Sequence, residues 1–164
     1  MKPTVKAGLL LGVLVVAWMF VMGVTGWYKG PVNQYLFYVV ILIEIGVLIW
    51  GLRLTAKEGK TYGGQVAAGT LIAVIGAVII FFGSIFFTTV AYPNYFAEIR
   101  DTGLQTLMAQ GRSAEQAEAE LKLMEPMQTP LMQALTGAVM TVVTGFVASL
   151  VIAAVLRKKP AAQA

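Results

Sequence analysis

The stretch QYLFYVVILIEIGVLIWGL, residues 34–52, decides the fold, and Glu44 is its one acidic or basic residue. Wound as a helix at about 1.5 Å per residue, it is long enough to cross the roughly 30 Å hydrocarbon core of a bilayer. Tyr35, Phe37 and Tyr38 stand at one end and Trp50 at the other, as interfacial aromatics do. Glu44 lies midway between Tyr35 and Arg53, and therefore near the bilayer midplane. A charged carboxylate at that depth costs on the order of 3 kcal/mol, so such a residue faces a bundle interior and often marks a proton, ion or substrate path. The plainer reading is a protonated Glu44 acting as hydrogen-bonded glue between helices, and the sequence alone favours it.

Three further apolar runs lie around this one. Residues 5–24 follow Lys2 and, beyond Lys6 at their start, carry no charge. They outrun a signal-peptide core and lack a small-x-small cleavage site, so they read as an uncleaved first span. Gly26, Gly30 and Pro31 mark a short turn into the second span, and Arg53, Lys57, Glu58 and Lys60 a basic loop out of it, running to Gly63 and Gly64. Residues 65–91 form a third span in which Gly69, Gly76 and Gly83 recur every seven positions, and residues 131–156 a fourth with Gly137, Thr141, Gly145, Ser149 and Ala153 every four. With Gly8 and Gly12 in the first span, these small residues predict close helix packing.

Residues 92–130 are the one long polar segment. Phe96, Ile99, Leu107 and Met108 fall near helical spacing up to Gly111, Ser113 and Gln116 have capping-box spacing, and Pro126 must end the helix that Ser113 starts. The expectation is an extramembrane helical hairpin between the third and fourth spans. Its acids (Glu98, Asp101, Glu115, Glu118, Glu120, Glu125) outnumber its bases (Arg100, Arg112, Lys122). Such a run reads as a solvated face.

Composition agrees. Of 164 residues, 58% are hydrophobic and 12% charged, and the mean hydropathy is +0.77, which places the chain among integral membrane proteins. The net charge of +4 is scattered in short clusters beside the apolar runs and points to orientation signals, with no nucleic-acid partner. Cysteine and histidine are both absent, so disulfides, thiolate and imidazole metal ligands, and their catalytic chemistry drop out together; neither a metal nor a cofactor is expected. Lys2, Lys6, Arg53, Lys57, Lys60, Arg157, Lys158 and Lys159 fall on one side, and Lys29, Arg100, Arg112 and Lys122 on the other. The excess predicts cytoplasmic termini and an outer hairpin. One all-α domain over residues 1–164 is the result: an integral membrane, antiparallel four-transmembrane-helix bundle. By depth, Thr141 and Thr144 are the expected hydrogen-bond partners of Glu44.

Lys6-Ala7-Gly8 opening the first span with Gly12 beyond it, Trp18, the glycine at Gly23 or Gly26, the basic loop before Tyr62, Gly69, Tyr92-Pro93-Asn94-Tyr95 and the closing Arg157-Lys158 form a pattern running through the whole chain. It resembles the domain of unknown function 4199 family of small four-span bacterial inner-membrane proteins. The resemblance implies a four-span fold in the bacterial cytoplasmic membrane and brings no activity, ligand or catalytic residue.

Two functions compete. One is a non-enzymatic multi-pass protein that packs with itself or with other membrane subunits, in contact otherwise only with lipid. Its support is the set of small-residue seams at Gly8, Gly12, Gly69, Gly76, Gly83, Gly137, Gly145 and Ser149, which exceed the evident need of one small bundle. The alternative is a small proton-coupled transporter in which Glu44 alternately holds a proton and a cationic substrate. An enzyme acting on lipid would need a nucleophile and base or a metal cluster, and the sequence offers neither. The first reading is preferred.

Overall fold

A computed structural model describes residues 1–30 and 33–156. Arg157, Lys158 and Lys159, three of the basic residues used for orientation, lie outside the described residues, as does Pro31. The described chain is all-α: α1 (Pro3–Thr25), a 3-10 turn (Trp27–Lys29), α2 (Asn33–Lys57), α3 (Tyr62–Phe86) continued by a π turn (Phe87–Ala91), α4 (Tyr95–Ala109), α5 (Ala114–Met124), a 3-10 turn (Glu125–Met127) and α6 (Pro130–Leu156). Four of these segments are long and apolar enough to cross a membrane: Pro3–Thr25, Tyr35–Lys57, Tyr62–Ala91 and Pro130–Leu156.

Local chemistry sets their ends. Pro3 sits in the first turn of α1, where its missing N–H is no loss. Gly26 then closes the helix in a left-handed conformation (φ 69°) that a residue with a Cβ would resist. α2 runs past Arg53 to Lys57, beyond the expected end at 52, because a charge marks the edge of the hydrocarbon without stopping a helix. What stops it is Gly59, at φ 75°. α3 likewise starts earlier than the expected 65: the Thr61 hydroxyl accepts the Gly64 N–H at 3.3 Å and caps the helix, so Gly63 and Gly64 belong to its first turn rather than to a loop. Ser113 and Gln116 form the capping box at the start of α5.

α3 lies at the centre, packing along α6 and α1 and more lightly against α2, while α2 also packs against α1 and α6. The interior is built from Ala7, Leu11, Val15, Val47, Leu48, Ile72 and Ile80. Each long helix turns large apolar side chains outward, among them Val13, Leu42, Phe82 and Val151. A girdle of that kind would be costly in water and suits hydrocarbon.

The small residues show how the helices come close. A Cβ on Gly8 would stand 2.6 Å from Ile75 Cβ, and one on Gly12 2.5 Å from Ile79 Cβ. In return α3 presents Gly76 to Leu11 and Gly83 to Val16. Gly69 accepts Ser149 of α6, and Gly145 accepts Ala73 of α3. These seams are therefore occupied within the chain. Gly137 differs, since a Cβ there would meet nothing within 4 Å.

Candidate functional site

Glu44, Leu48, Leu52 and Thr55 are buried along one stripe of α2 at i+4, i+4 and i+3 spacing, with Glu44 only 3% exposed. Thr144 of α6 places its Oγ1 2.7 Å from Glu44 Oε2. The same Oγ1 lies 2.7 Å from the Met140 carbonyl. A threonine hydroxyl has one hydrogen and two acceptor positions. Both short contacts are satisfied together when the carboxyl carries a proton, the carboxyl O–H donating to Thr144 and Thr144 donating to Met140. Oε1 has no hydrogen-bond partner. It lies over Gly145, where a Cβ would approach it to 2.8 Å. Gly145 thus makes room both for the carboxyl group and for Ala73.

Of the two threonines matched to Glu44 by depth, only Thr144 reaches it. Thr141 lines the same cavity but makes no hydrogen bond to Glu44, its hydroxyl donating to the Gly137 carbonyl of its own helix at 2.9 Å.

A cavity of about 240 Å³ leads to this carboxyl, lined by Met19 and Met22 of α1, Phe37 and Val40 of α2, Ser84 of α3, and Gln133, Gly137 and Met140 of α6. Glu44 and Thr144 are the lining residues farthest from the helix ends that Leu36 and Gln133 mark. Phe37, Thr136 and Met140 are exposed, so the cavity opens sideways between α2 and α6. On the other side of Glu44 the packing closes: Leu48 and Leu52 are fully buried, and Ser149 sits against Gly69. The methionines were not singled out in the sequence, where a thioether at helical spacing is indistinguishable from ordinary core.

At the end of the helices nearest α4, Gln133 Nε2 donates to Tyr95 Oη at 3.4 Å. Tyr95 packs on Tyr28 and Phe87, with ring centroids 5.0 and 5.5 Å away. The buried Tyr28 donates to Glu98 Oε2, and Lys29 Nζ pairs with the same oxygen at 2.8 Å. The Lys29 ammonium, with help from Tyr28, holds the Glu98 carboxyl below the usual range. Burial, then the Glu98 contact, pushes the Tyr28 phenol up. This cluster ties α4 to the turn after α1. No sequence spacing signals it, since Tyr28 and Glu98 are 70 residues apart. At the opposite end the Gln65 amide donates to Thr55 Oγ1 (2.7 Å) and the Leu52 carbonyl (3.2 Å) and accepts from the Ala56 N–H (2.8 Å), binding the start of α3 to the end of α2.

Among the described residues no three His, Cys, Asp or Glu side chains gather as a metal site would require. No curated protein and no solved structure matches the chain. One family model does, across residues 6–158, nearly the whole length, and by that match the chain belongs to the DUF4199 family, described as proteins of unknown function.

Proposed function

We propose that this chain is a non-enzymatic accessory protein of the bacterial cytoplasmic membrane that holds a small bilayer-dissolved molecule in the cavity at Glu44. In this reading the four long helices form an antiparallel bundle with cytoplasmic termini, and residues 92–130 form a helical hairpin outside. The excess of basic residues at the ends shared by Lys2, Lys6, Arg53, Lys57 and Lys60 supports that orientation.

The observation carrying the proposal is the cavity itself: apolar, open sideways toward what would be lipid, and ending on the single acidic side chain within the spans. Self-association is favoured less, because the seam glycines Gly8, Gly12, Gly69, Gly76, Gly83 and Gly145 face neighbours within the chain. Passage through the protein is favoured less than binding, because the packing beyond Glu44 is closed.

Gly137 supplies the test, since it lines the cavity and has open space beside it. Gly137→Leu should fold and fill the void. Phenylbutanol should raise the melting temperature of the wild type in detergent and leave that of Gly137→Leu unmoved; equal shifts in the two proteins would sink the reading. Orientation is tested separately. A reporter active only outside the cytoplasm should be active within residues 105–116 and silent after Ala164, and the reverse result would invert the protein.

A further inference from the structure

We infer that the molecule taken up at Glu44 is a lipophilic amine, its nitrogen bound to the Glu44 carboxylate and its apolar body among Met19, Met22, Phe37 and Met140. The inference rests on the cavity reading above and adds the ligand's chemical class.

The argument begins with the hydrogen count. With the carboxyl protonated, Glu44 donates to Thr144 and Thr144 donates to Met140, both at 2.7 Å, and the polar contacts of Oε2 are complete. Oε1, the oxygen without a partner, lies over Gly145, which does not line the cavity. A neutral alcohol or amide entering the cavity therefore finds no vacant acceptor on the carboxyl and gains no bond to Glu44. An anion meets no basic side chain, since neither α1, α3 nor α6 turns a charged or titratable group toward Glu44 among the described residues.

An amine is different because it can take the proton. The Glu44 O–H bond breaks, an N–H bond forms, and an ammonium–carboxylate pair results with no other reactant. Thr144 keeps its hydrogen on the Met140 carbonyl, and the ammonium N–H groups donate to Oε2 and, in place of the carboxyl proton, to Thr144 Oγ1. Hydrogen bonds between charged partners in a low-dielectric site are the strong ones. The walls suit such a ligand. Methionine thioethers are polarisable and adapt to irregular shapes, and Phe37 adds an aromatic ring, a group that attracts cations, to the lining. In size the void exceeds an engineered cavity of about 150 Å³ that admits benzene, so it holds a ring with a short chain.

The experiment compares phenylbutylamine with phenylbutanol, which match in shape, by calorimetry on the full chain in detergent micelles, with empty micelles subtracted. Wild type should bind the amine about tenfold or more tightly than the alcohol, the scale of a charge-assisted hydrogen bond. Glu44→Gln should hold both ligands with equal affinity, and Gly137→Leu should hold neither. Infrared difference spectra should show the protonated-carboxyl band of the wild type disappearing as the amine binds. Equal affinities for amine and alcohol in the wild type, or a carboxyl band that survives saturation, would overturn the amine and leave the cavity reading standing. Binding of both ligands to Gly137→Leu as to wild type would overturn the two together.

Discussion

Gly8→Ala adds one methyl group, and the structure places it against atoms that cannot move aside. Its Cβ would lie 2.6 Å from Ile75 Cβ, 2.7 Å from Ile75 Cγ2 and 3.0 Å from the Ile72 carbonyl oxygen. Carbon atoms pack best at about 3.5–4.0 Å, so α1 and α3 must part by roughly 1 Å or somewhat more. Overpacking of this kind costs about 1–3 kcal/mol. Alanine also favours a helix over glycine by about 1 kcal/mol, which confuses the comparison with wild type. Gly46→Ala removes that confusion: Gly46 lies within α2, and a Cβ there meets nothing within 4 Å. The helix-propensity gain is common to both, so the difference between the two variants isolates the packing cost, about 1–3 kcal/mol with Gly8→Ala the weaker. Reversible unfolding in mixed micelles, followed by circular dichroism, measures it. Ile75→Ala should not rescue Gly8→Ala, because the nearest clash is with Ile75 Cβ, which alanine retains. Equal stability of Gly8→Ala and Gly46→Ala would refute the packing of α1 on α3.

On α6, Gly145→Leu should disrupt folding while Val147→Leu is tolerated, since Gly145 faces Ala73 and Glu44 and Val147 is exposed; equal melting temperatures in detergent would count against the α3–α6 contact. Glu44→Gln should melt close to wild type and Glu44→Leu should lose about 1 kcal/mol, the scale of an interhelical hydrogen bond in a membrane; a glutamine variant as weak as the leucine one would mean that the carboxyl has a structural role an amide cannot fill. The Glu98 carboxyl is held low by Lys29 and Tyr28, so its contribution is present above the ordinary carboxylate range and lost as pH falls through its lowered value. Amide exchange in α4 should accelerate over that acid range in wild type, and Glu98→Gln should exchange faster already at neutral pH; an α4 that exchanges alike in both proteins at every pH would show that the link carries nothing.

Much of the fold was legible because hydrocarbon imposes a single requirement, a long uncharged helix, that hydropathy reads directly. Ser113 and Gln116 were legible for another reason, since a capping box is local and its two side chains need only each other's backbone. The helix ends were less so: Arg53 marks the edge of an apolar run, and the helix continues to Lys57 because backbone hydrogen bonding is indifferent to what the side chain carries. The order of helices around the bundle was not legible at all. Gly8 and Gly12 announce a close approach, yet only the register of α3 decides that Ile75 and Ile79 fill it.

Gly137 and Gly145 show where reading the site from sequence stopped. They stand on the same every-fourth-residue stripe of α6, and the pattern assigns both to packing. A stripe identifies a helix face and says nothing of what lies opposite. Ala73 and the Glu44 carboxyl lie opposite Gly145, whereas Gly137 borders the void between α1, α2, α3 and α6. The threonines repeat the lesson. Thr141 and Thr144 differ in depth by about 4.5 Å, too little to tell apart when matching depths, but they point about 60° apart around the helix. That angle is enough to send one hydroxyl to Glu44 and leave the other on the carbonyl of Gly137. Glu44 could be picked out because a charge in hydrocarbon needs a reason. Its surroundings could not, because a methionine, a glycine and an open space leave no mark on hydropathy.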